Sequence, residues 1–425
     1  MFFLRRFARR IVPKNSRTWL RKRFDDIQIW HWKFCWWQRR HFKSLDPPTK
    51  NGVLLIGYPR GEFGIGASLR LTALALEKSN VAFSIFDFNI ISQASHRDTR
   101  LDKWITNLPE YKINIFCIGA DQIPLLKKTL GENFFLNRYN ILYGSWEFNH
   151  LPKKWVSHLE EMNEIWAMSN FVGQMFMSST SHSVHVFQHP VTINIPESIN
   201  RSQFKIQKNN FVFLFMFDFD SHVARKNPEA VIQAFEYAFP KSSQNSVSLV
   251  IKSINGDRHQ KEYKTLEKLI NKDSRIIHIQ KVLPHEESAA LINCCDCYVS
   301  LHRSEGFGLT IAEAMLLGKP VITTGYSGNM DFTKDETTLL VDYKLIPVEQ
   351  GDYPYANNEI WAEPDVEQAG DYMKKLVSDR SFSYSFAKKG QELIRTDFSI
   401  KSIGEKYKNR IDEILLEKPL KQKES

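Results

Sequence analysis

The sequence predicts an α/β protein of two doubly wound domains that face each other across a cleft, preceded by a basic amphipathic helical extension. Three observations support this prediction. From Gly52 onward, short apolar runs alternate with longer amphipathic segments, and each half of the chain contains six such runs. A polar segment without strand character separates the two halves. Basic and aromatic residues are concentrated in the first fifty positions.

The apolar runs predict the two sheets. Continuous apolar runs are typical of strands buried on both faces, and the helices between them make the sheets parallel. A chain of 425 residues is also too long for one ordinary domain. The first predicted domain, residues 51–195, holds the runs 53–58, 81–88, 113–118, 141–146, 164–169 and 184–189. The second, residues 205–397, holds the runs 211–217, 247–253, 275–280, 297–302, 320–325 and 338–343.

The polar segment 192–210 is the expected linker between the domains. In open parallel sheets, ligands bind outside the carboxyl ends of the strands. Two such domains that face each other form one cleft between them. The loops that follow strands are therefore where a binding site is expected.

The N-terminal extension carries most of the basic character. Residues 1–50 contain 14 Lys and Arg against 3 Asp and Glu, whereas the formal charge of the whole chain is +9. The remainder is close to neutral, so binding of nucleic acid by the body of the protein gains no support. Phe3, Phe7 and Ile11 recur at helical spacing among arginines, a pattern that suits the headgroup layer of an anionic membrane. We expect residues 1–43 to bind such a surface.

Two alternatives for the extension remain open. It could be a helical hairpin packed on the body, or an Arg-rich, acid-poor transit peptide. No apolar run in the chain approaches the roughly 18 residues of a membrane-spanning helix.

A glycine-rich segment, residues 57–66, follows the first strand. Gly64 and Gly66 are expected in the loop, with a helix from residue 67 to 78. The third glycine of the G-x-G-x-x-G pattern is missing, so a dinucleotide site is poorly supported. The loop can still bring backbone N–H groups close to a phosphate or an acceptor. Arg70 either faces the cleft or forms a salt bridge on the surface.

A basic pair, Arg225 and Lys226, follows the seventh strand and precedes a helix predicted to begin at Pro228. Arginine and lysine beside a helix N-terminus suit a diphosphate group, because they add charged hydrogen bonds to the free backbone N–H groups. The alternative is a basic pair on a solvated loop.

Two glutamates, Glu305 and Glu313, are separated by eight positions in the stretch SEGFGLTIAEAMLLGKPVITT. Glu305 is expected in the loop after a strand and Glu313 in the first turns of a helix that starts near residue 309. A carboxylate can accept two hydrogen bonds from a vicinal diol such as a sugar or a ribose. Gly306 and Gly308 leave room for a ligand against the backbone. Glu313 could instead interact only with the positive end of the helix dipole. A buried glutamate among apolar residues needs a hydrogen-bond partner, however, and this favours a role in ligand binding.

This stretch resembles the E-x7-E motif of retaining, nucleotide-sugar-dependent glycosyltransferases of the GT-B fold, family four. The resemblance extends to the basic pair, to the glycine-rich loop, to WAEPD at 361–365 and to the segment 398–416. It covers roughly residues 51–417. It implies two Rossmann-like domains, the first for the acceptor and the second for the donor. It also implies a C-terminal helix, residues 398–417, that crosses back to the first domain.

The resemblance implies roles for individual residues. Glu313 is expected to hold the nucleotide ribose and Glu305 the transferred sugar, while Arg225 and Lys226 stabilise the diphosphate as it leaves. Other donor contacts are expected from the backbone of Gly306, Phe307 and Gly308, and from the turn formed by Ser327, Gly328 and Asn329. The nucleotide sugar is a co-substrate, and the resemblance implies no metal and no further cofactor.

Many relatives place a histidine near the reacting carbon in the first domain. Here Glu147 follows the end of the fourth strand, and His150 lies three residues further on. Either could orient the acceptor. Glu147 is favoured, although it could also cap the helix near Pro152.

The implied reaction transfers a hexose-like sugar, with mannose one candidate, to a hydroxyl of a saccharide or lipid-linked acceptor with retention of configuration. Surface-polysaccharide synthesis, by a cytoplasmic protein attached peripherally to the inner face of the cell membrane, fits both the resemblance and the extension. Two alternatives remain open: a sugar-nucleotide epimerase of the same architecture, and a non-catalytic membrane scaffold that binds nucleotide sugars. The five cysteines form no disulfide pattern and fit a reducing compartment.

Overall fold

The computed structural model describes residues 48–89, 95–196, 199–242, 246–356 and 358–416. The predicted membrane-binding segment, residues 1–43, lies outside these ranges. Each of the twelve apolar runs forms a strand, and the strands make two parallel six-stranded sheets. The prediction of two doubly wound α/β domains is confirmed. Within the described ranges, no helix is both long enough and apolar enough to cross a membrane.

The first sheet has the strand order β2–β1–β3–β4–β5–β6. Its centre is buried on both faces, as the continuous apolar runs predicted, and Val53 to Ile56 are fully inaccessible. The strands are β1 (Lys50–Gly57), β2 (Phe83–Asp87), β3 (Tyr111–Cys117), β4 (Tyr139–Gly144), β5 (Glu164–Ala167) and β6 (Ser183–Val186). The helices are α1 (Gly64–Lys78), α2 (Ile123–Leu130), α3 (Lys153–Val156) and α4 (Asn170–Ser179).

The second sheet has the order β12–β11–β10–β7–β8–β9. The strands are β7 (Phe211–Asp218), β8 (Val247–Ile254), β9 (Ile276–Gln280), β10 (Cys297–Ser300), β11 (Val321–Thr324) and β12 (Leu339–Val341). The helices are α5 (Val223–Lys226), α6 (Pro228–Ala238), α7 (Gln260–Ile270), α8 (His285–Cys294) and α9 (Leu309–Leu316). From β7 the chain continues outward through β8 and β9 to one edge of the sheet. It then returns to β10, on the other side of β7, and continues to the opposite edge, so the direction of winding reverses between β7 and β10. Ligands bind at such switch points in open α/β sheets.

An antiparallel hairpin follows the second sheet and was not predicted. It consists of β13 (Tyr343–Pro347) and β14 (Ile360–Pro364). The last predicted run, 338–343, is split, because β12 ends at Val341 and the chain turns into the hairpin. The segment 361–365 therefore contributes to a strand. The loop between β13 and β14 has no periodic apolar pattern, so the pairing of its two ends could not be predicted.

The C-terminal helices are α10 (Val366–Ser378), α11 (Arg380–Asp397) and α12 (Ile400–Leu416). Helix α12 packs against α1 of the first domain. A side chain at Gly404 would lie 2.2 Å from Ser79 Oγ, so this close approach requires glycine. On the same helix, Arg410 forms a 2.7 Å ion pair with Glu164, which is completely buried. Helix α12, the last element that the structure describes, thus packs on the first domain.

The first loop differs from the prediction. Helix α1 begins at Gly64 rather than at residue 67, which places Gly64 and Gly66 in its first turn. A Cβ atom at Gly66 would lie 2.3 Å from the carbonyl oxygen of Gly61, so this position requires glycine. Gly64 is exposed and nothing lies within 4 Å of the corresponding Cβ position. Only the second of these two glycines is needed to form the turn.

Candidate functional site

The candidate site lies at the switch point of the second sheet, where the loops after β7 and β10 meet. Arg225 Nη1 donates a 2.8 Å hydrogen bond to the carbonyl oxygen of Ser304 and lies 3.3 Å from Glu305 Oε2. Lys226 Nζ donates to Glu305 Oε1. The structure therefore brings the predicted basic pair and the first predicted glutamate together, although 79 residues separate Lys226 from Glu305. Arg225 is only 3% exposed, so the pair is not on a solvated loop.

The ionic state of Glu305 follows from these contacts. Burial alone would raise the pKa of Glu305, but the charges of Lys226 and Arg225 outweigh it and lower the pKa to about 2. Glu305 is therefore ionised across the physiological range. His302 lies next to this group, and burial lowers its pKa to about 4, so its imidazole is neutral.

A strained turn presents the two cations. Helix α5 is a single turn, flanked by His222 at φ 64° and ψ 111° and by Asn227 at φ 53°. Positive φ values are uncommon outside glycine, and such a residue costs on the order of 1–3 kcal/mol unless the surroundings impose it. Strain of this kind is concentrated at functional sites. Helix α6 then begins at Pro228, as predicted.

The loop that carries Glu305 is held by the turn after β11. The backbone N–H of Glu305 donates to Ser327 Oγ over 2.8 Å, and the N–H of Gly328 donates to the carbonyl oxygen of Glu305 over 2.9 Å. A Cβ atom at Gly328 would lie 2.1 Å from the carbonyl oxygen of Gly306, so the two loops are packed backbone to backbone.

In the turn predicted to contact the donor, the side chains of Ser327 and Asn329 bond to protein atoms. Ser327 is buried and bonded to the Glu305 loop. Asn329 is fully buried, and its amide donates to the carbonyl oxygen of Thr324. The hydroxyl of Ser327 and the amide nitrogen of Asn329 are thus used within the fold. The ring of Phe307 is likewise in the core, 5.4 Å from His189 and 5.1 Å from Phe332.

Glu313 lies in the first turns of α9, as predicted, and Gly308 precedes the helix at φ 91°. The side chain is half-buried. Burial raises the pKa of Glu313 to about 8, and no cation offsets it. Within the described ranges the carboxyl group has no hydrogen bond or ion pair. A carboxyl group in this environment lacks the partner that burial normally requires.

Glu147 reaches the same cluster from the first domain. Its Oε1 lies 3.6 Å from Arg225 Nη2, and its Oε2 accepts a 2.8 Å hydrogen bond from the hydroxyl of Tyr353. It does not cap the following helix, because α3 has Pro152 at its N-cap and no side-chain cap. His150 is 73% exposed and pairs with Glu359 at 3.1 Å, away from the Arg225 cluster. Of the two predicted candidates, the structure brings only Glu147 to the site.

Arg70 forms a salt bridge, one of the two alternatives predicted for it, and also bonds the backbone of its own loop. Its Nη1 donates to the carbonyl oxygens of Pro59 and Gly61 over 3.1 and 2.6 Å, and its Nε lies 3.1 Å from Asp98. These bonds brace the loop between β1 and α1. Because the side chain is only 11% exposed, the ion pair is not a surface one.

Two residues near the site were missed in the sequence. Lys252, near the end of β8, is buried, and burial lowers its pKa to about 8. A lysine inside the otherwise apolar run VSLVIKS was the available signal. Tyr353 lies in the hairpin loop. The available signal was weak, because it consisted only of two tyrosines within a polar segment. In the part of the chain that the structure describes, no three His, Cys, Asp or Glu side chains form a group able to hold a metal ion.

Comparison with known proteins agrees with this architecture. Residues 197–393 match the family Glycosyl transferases group 1, and this segment contains Arg225, Lys226, Glu305 and Glu313. Alpha-1,3/1,6-mannosyltransferase ALG2 from Dictyostelium discoideum is 28% identical over 138 residues. That match spans 32% of this chain and 32% of the relative.

Solved structures resemble the whole two-domain body. The Anabaena protein Alr3699/HepE, in complex with UDP and glucose, aligns with a TM-score of 0.64 at 15% identity and covers 85% of this chain and 100% of its own. Sucrose-phosphate synthase from Thermosynechococcus elongatus aligns with a TM-score of 0.60 at 16% identity, covering 86% of this chain and 99% of its own. The predicted GT-B fold is thereby confirmed. Together with the family match, it supports a glycosyltransferase of this fold.

The environment of Glu313 generates a prediction about pH. Its pKa in the folded protein, about 8, is above the ordinary value of 4.5, so the folded state keeps a proton that the unfolded state loses between these limits. The wild type should therefore lose stability as pH rises from 4.5 to 8. Glu313→Gln cannot titrate, and its free energy of unfolding relative to wild type should rise by roughly 2–4 kcal/mol over that window. Urea unfolding at pH 5 and pH 8 measures this difference.

Glu405→Gln, at an exposed position on α12, is the control for the substitution itself. A difference between Glu313→Gln and wild type that stays constant between pH 5 and pH 8 would contradict the assigned environment of Glu313.

Proposed function

We propose that this chain is a retaining glycosyltransferase of family four, which transfers a hexose from a nucleoside-diphosphate sugar to a hydroxyl acceptor. One observation carries the proposal. The unpartnered carboxyl of Glu313 lies on the helix that follows the loop of Glu305, whose carboxylate holds Arg225 and Lys226 at the carboxyl edge of the second sheet. This segment matches the family Glycosyl transferases group 1.

In this proposal the donor is held by groups of complementary chemistry. Glu313 accepts hydrogen bonds from the ribose diol, which supplies the partner that its carboxyl lacks. Arg225 and Lys226 contact the diphosphate, together with the free N–H groups at the N-terminus of α6. UDP is bound by the Anabaena structural neighbour, and a mannosyltransferase is among the sequence relatives. UDP-linked and GDP-linked hexoses are therefore the first donors to test.

Charge balance explains how an anionic donor can enter. The two cations Arg225 and Lys226 face the two carboxylates of Glu147 and Glu305. Glu313 adds little negative charge at neutral pH, because burial raises its pKa to about 8. A diphosphate can therefore share Lys226 and the helix N-terminus without meeting a third carboxylate.

The proposed reaction needs no nucleophilic side chain. The bond between the sugar C1 and the diphosphate oxygen breaks, and the acceptor oxygen bonds to C1 on the same face. The departing phosphate takes the proton of the acceptor hydroxyl. Lys226, Arg225 and the N-terminus of α6 offset the negative charge that develops on the leaving group. Glu305, ionised in its pair, holds the hydroxyls of the transferred sugar, and Glu147 faces the acceptor.

The proposal includes a location and an acceptor class. Residues 1–43 attach the protein to the anionic inner face of the cell membrane from the cytoplasm, beside a lipid-linked or surface saccharide. That setting fits surface-polysaccharide synthesis. The proposed reaction uses no metal, as the family resemblance implies.

Donor binding is the first prediction of the proposal. Saturation-transfer NMR against UDP-, GDP- and dTDP-sugars should identify one preferred nucleotide. Glu313→Gln should weaken binding of that nucleotide by roughly 0.5–1.5 kcal/mol, the scale of a hydrogen bond between neutral groups, because Glu313 is mostly protonated at neutral pH. Glu405→Gln should bind like wild type. Equal affinity of Glu313→Gln and wild type would remove Glu313 from the nucleotide site.

Turnover tests the role of Lys226. Lys226→Met should lower kcat for release of the nucleoside diphosphate by about 10²–10³, because the charge on the leaving group is no longer offset. The control is Lys264→Met, which removes an exposed lysine from α7 of the same domain. A Lys226→Met enzyme with the kcat of wild type would exclude Lys226 from leaving-group stabilisation.

Membrane attachment is tested by deletion. The full chain should sediment with vesicles that contain anionic lipid and remain soluble with neutral vesicles, since arginine attraction to lipid phosphate is electrostatic. The protein without residues 1–43 should stay in the supernatant while keeping its nucleotide affinity. Sedimentation of the truncated protein with anionic vesicles would place the membrane contact elsewhere.

A further inference from the structure

The loop between β13 and β14, which the structure describes at residues 348–356 and 358–359, reaches from the second domain to the first. Outside the site it is anchored by Tyr355, whose ring lies 5.2 Å from that of Trp155 and beneath Lys154 Nζ at 3.6 Å. Glu359 pairs with His150 at 3.1 Å. We refer to residues 348–359 as the bridging loop. Its contacts fix it to the segment that follows β4, which is also the segment that carries Glu147.

The base of the hairpin is joined to the loop of Glu305. Arg303 Nε forms a 2.6 Å ion pair with Glu363, and the carbonyl oxygen of Arg303 accepts a 3.0 Å hydrogen bond from the N–H of Ala362. Arg303 also lies over the ring of buried Trp361 at 5.4 Å. Because Arg303 immediately precedes Ser304 and Glu305, the hairpin and the site loop form one packed unit.

Tyr353 is the residue of the bridging loop that enters the site. Its hydroxyl donates a 2.8 Å hydrogen bond to Glu147 Oε2. Its ring packs 4.4 Å from that of His222 and 4.8 Å from that of Phe148, so the hydroxyl has a fixed direction. Burial and the nearby Glu147 raise the pKa of Tyr353 well above its ordinary value, so the group remains an O–H donor.

Glu147 is consequently held from two sides. Arg225 faces its Oε1 at 3.6 Å and Tyr353 donates to its Oε2. A carboxylate offers about four lone-pair positions, so these contacts leave acceptor capacity for a substrate hydroxyl. The side chain is 21% exposed, which gives that remaining capacity access to the cleft.

We propose that Tyr353 is a positioning residue, which fixes the carboxylate of Glu147 against Arg225 and thereby orients the hydroxyl that attacks the sugar. This inference rests on the proposed function. It assigns the bridging loop to the acceptor side of the site, since Glu147 belongs to the first domain and makes no contact with the ribose-binding candidate Glu313 within the described residues. Loss of the Tyr353 hydroxyl should impair turnover and spare nucleotide binding.

The test compares two variants of the bridging loop, each of which loses one tyrosine hydroxyl. Tyr353→Phe keeps the ring packing and removes the donor to Glu147. Tyr355→Phe makes the same change two residues away on the bridging loop, outside the site. The probe is release of nucleoside diphosphate from the nucleotide sugar that wild type binds, with water as the attacking hydroxyl. Tyr353→Phe should lower kcat at least tenfold with KM for the donor within about twofold, and Tyr355→Phe should leave both near wild type.

A double-mutant cycle separates positioning from a general structural effect. If Tyr353 acts through Glu147, adding Tyr353→Phe to Glu147→Gln should lower kcat no further than Glu147→Gln alone. Multiplicative losses in the double variant would overturn the proposal. So would equal losses in Tyr353→Phe and Tyr355→Phe, or a Tyr353→Phe loss confined to KM for the donor.

Urea unfolding of the same four proteins tests the contact without any activity. The shifts in unfolding midpoint caused by Tyr353→Phe and Glu147→Gln should be non-additive, because the first removes the donor of this hydrogen bond and the second replaces its charged acceptor by a neutral amide. Additive shifts would overturn the arrangement itself. A wild-type protein that binds a nucleotide sugar but releases no nucleoside diphosphate would instead overturn the proposed function, and with it the consequence for catalysis, while the unfolding cycle still reports on the contact.

Discussion

The buried contact of Glu305 with Arg225 and Lys226 is the constraint on which the rest of the site depends. Removal of one partner from a buried ion pair typically costs about 3–5 kcal/mol, because an uncompensated charge is left behind. The surrounding backbone is shaped to keep the three groups together. A strained turn at His222 directs the cations, and the close approach of Gly328 to Gly306 fixes the loop of the carboxylate. The positive φ of His222 and the close backbone approach at Gly328 thus serve to hold these three charged side chains together.

The two glutamates of the E-x7-E stretch have opposite ionic states, although both are largely enclosed by protein. Two cations lower the pKa of Glu305 to about 2, whereas burial without a cation raises that of Glu313 to about 8. The sequence spacing alone does not distinguish the two carboxyl groups, but their surroundings give them different pKa values. In many active sites, such a difference in pKa accompanies different roles in the reaction. In the proposed function, Glu305 works as a fixed anion at the sugar, and Glu313 is free to take up the hydrogen bonds of a ribose.

Most of the fold could be predicted because buried parallel strands have a local signature, a continuous apolar run such as VLLIGY at 53–58. The position of Arg225 and Glu305 at one edge of the sheet could also be predicted, since both lie in loops that follow neighbouring strands, but their direct contact was not. Tyr353 could not be found in this way. Its partner Glu147 is 206 residues away, and the contact depends on a hairpin whose strands are set by packing against Arg303 and not by periodicity. The backbone contacts of Arg70 were missed for a similar reason, because they depend on carbonyl directions that no residue pattern records.

The same loop that carries Glu305 also joins the two domains. Ser304 Oγ donates to the carbonyl oxygen of Glu147 over 2.5 Å, and Ser169 Oγ of the first domain donates to that of Gly306 over 2.7 Å. Bonds to the first domain therefore flank Glu305 on both sides in the sequence. An opening of the cleft at this point would have to break them and move the loop relative to Glu147. A change in the contact between the domains would therefore also change the geometry at the reacting centre, because tightly packed loops with few alternative packings move as a unit.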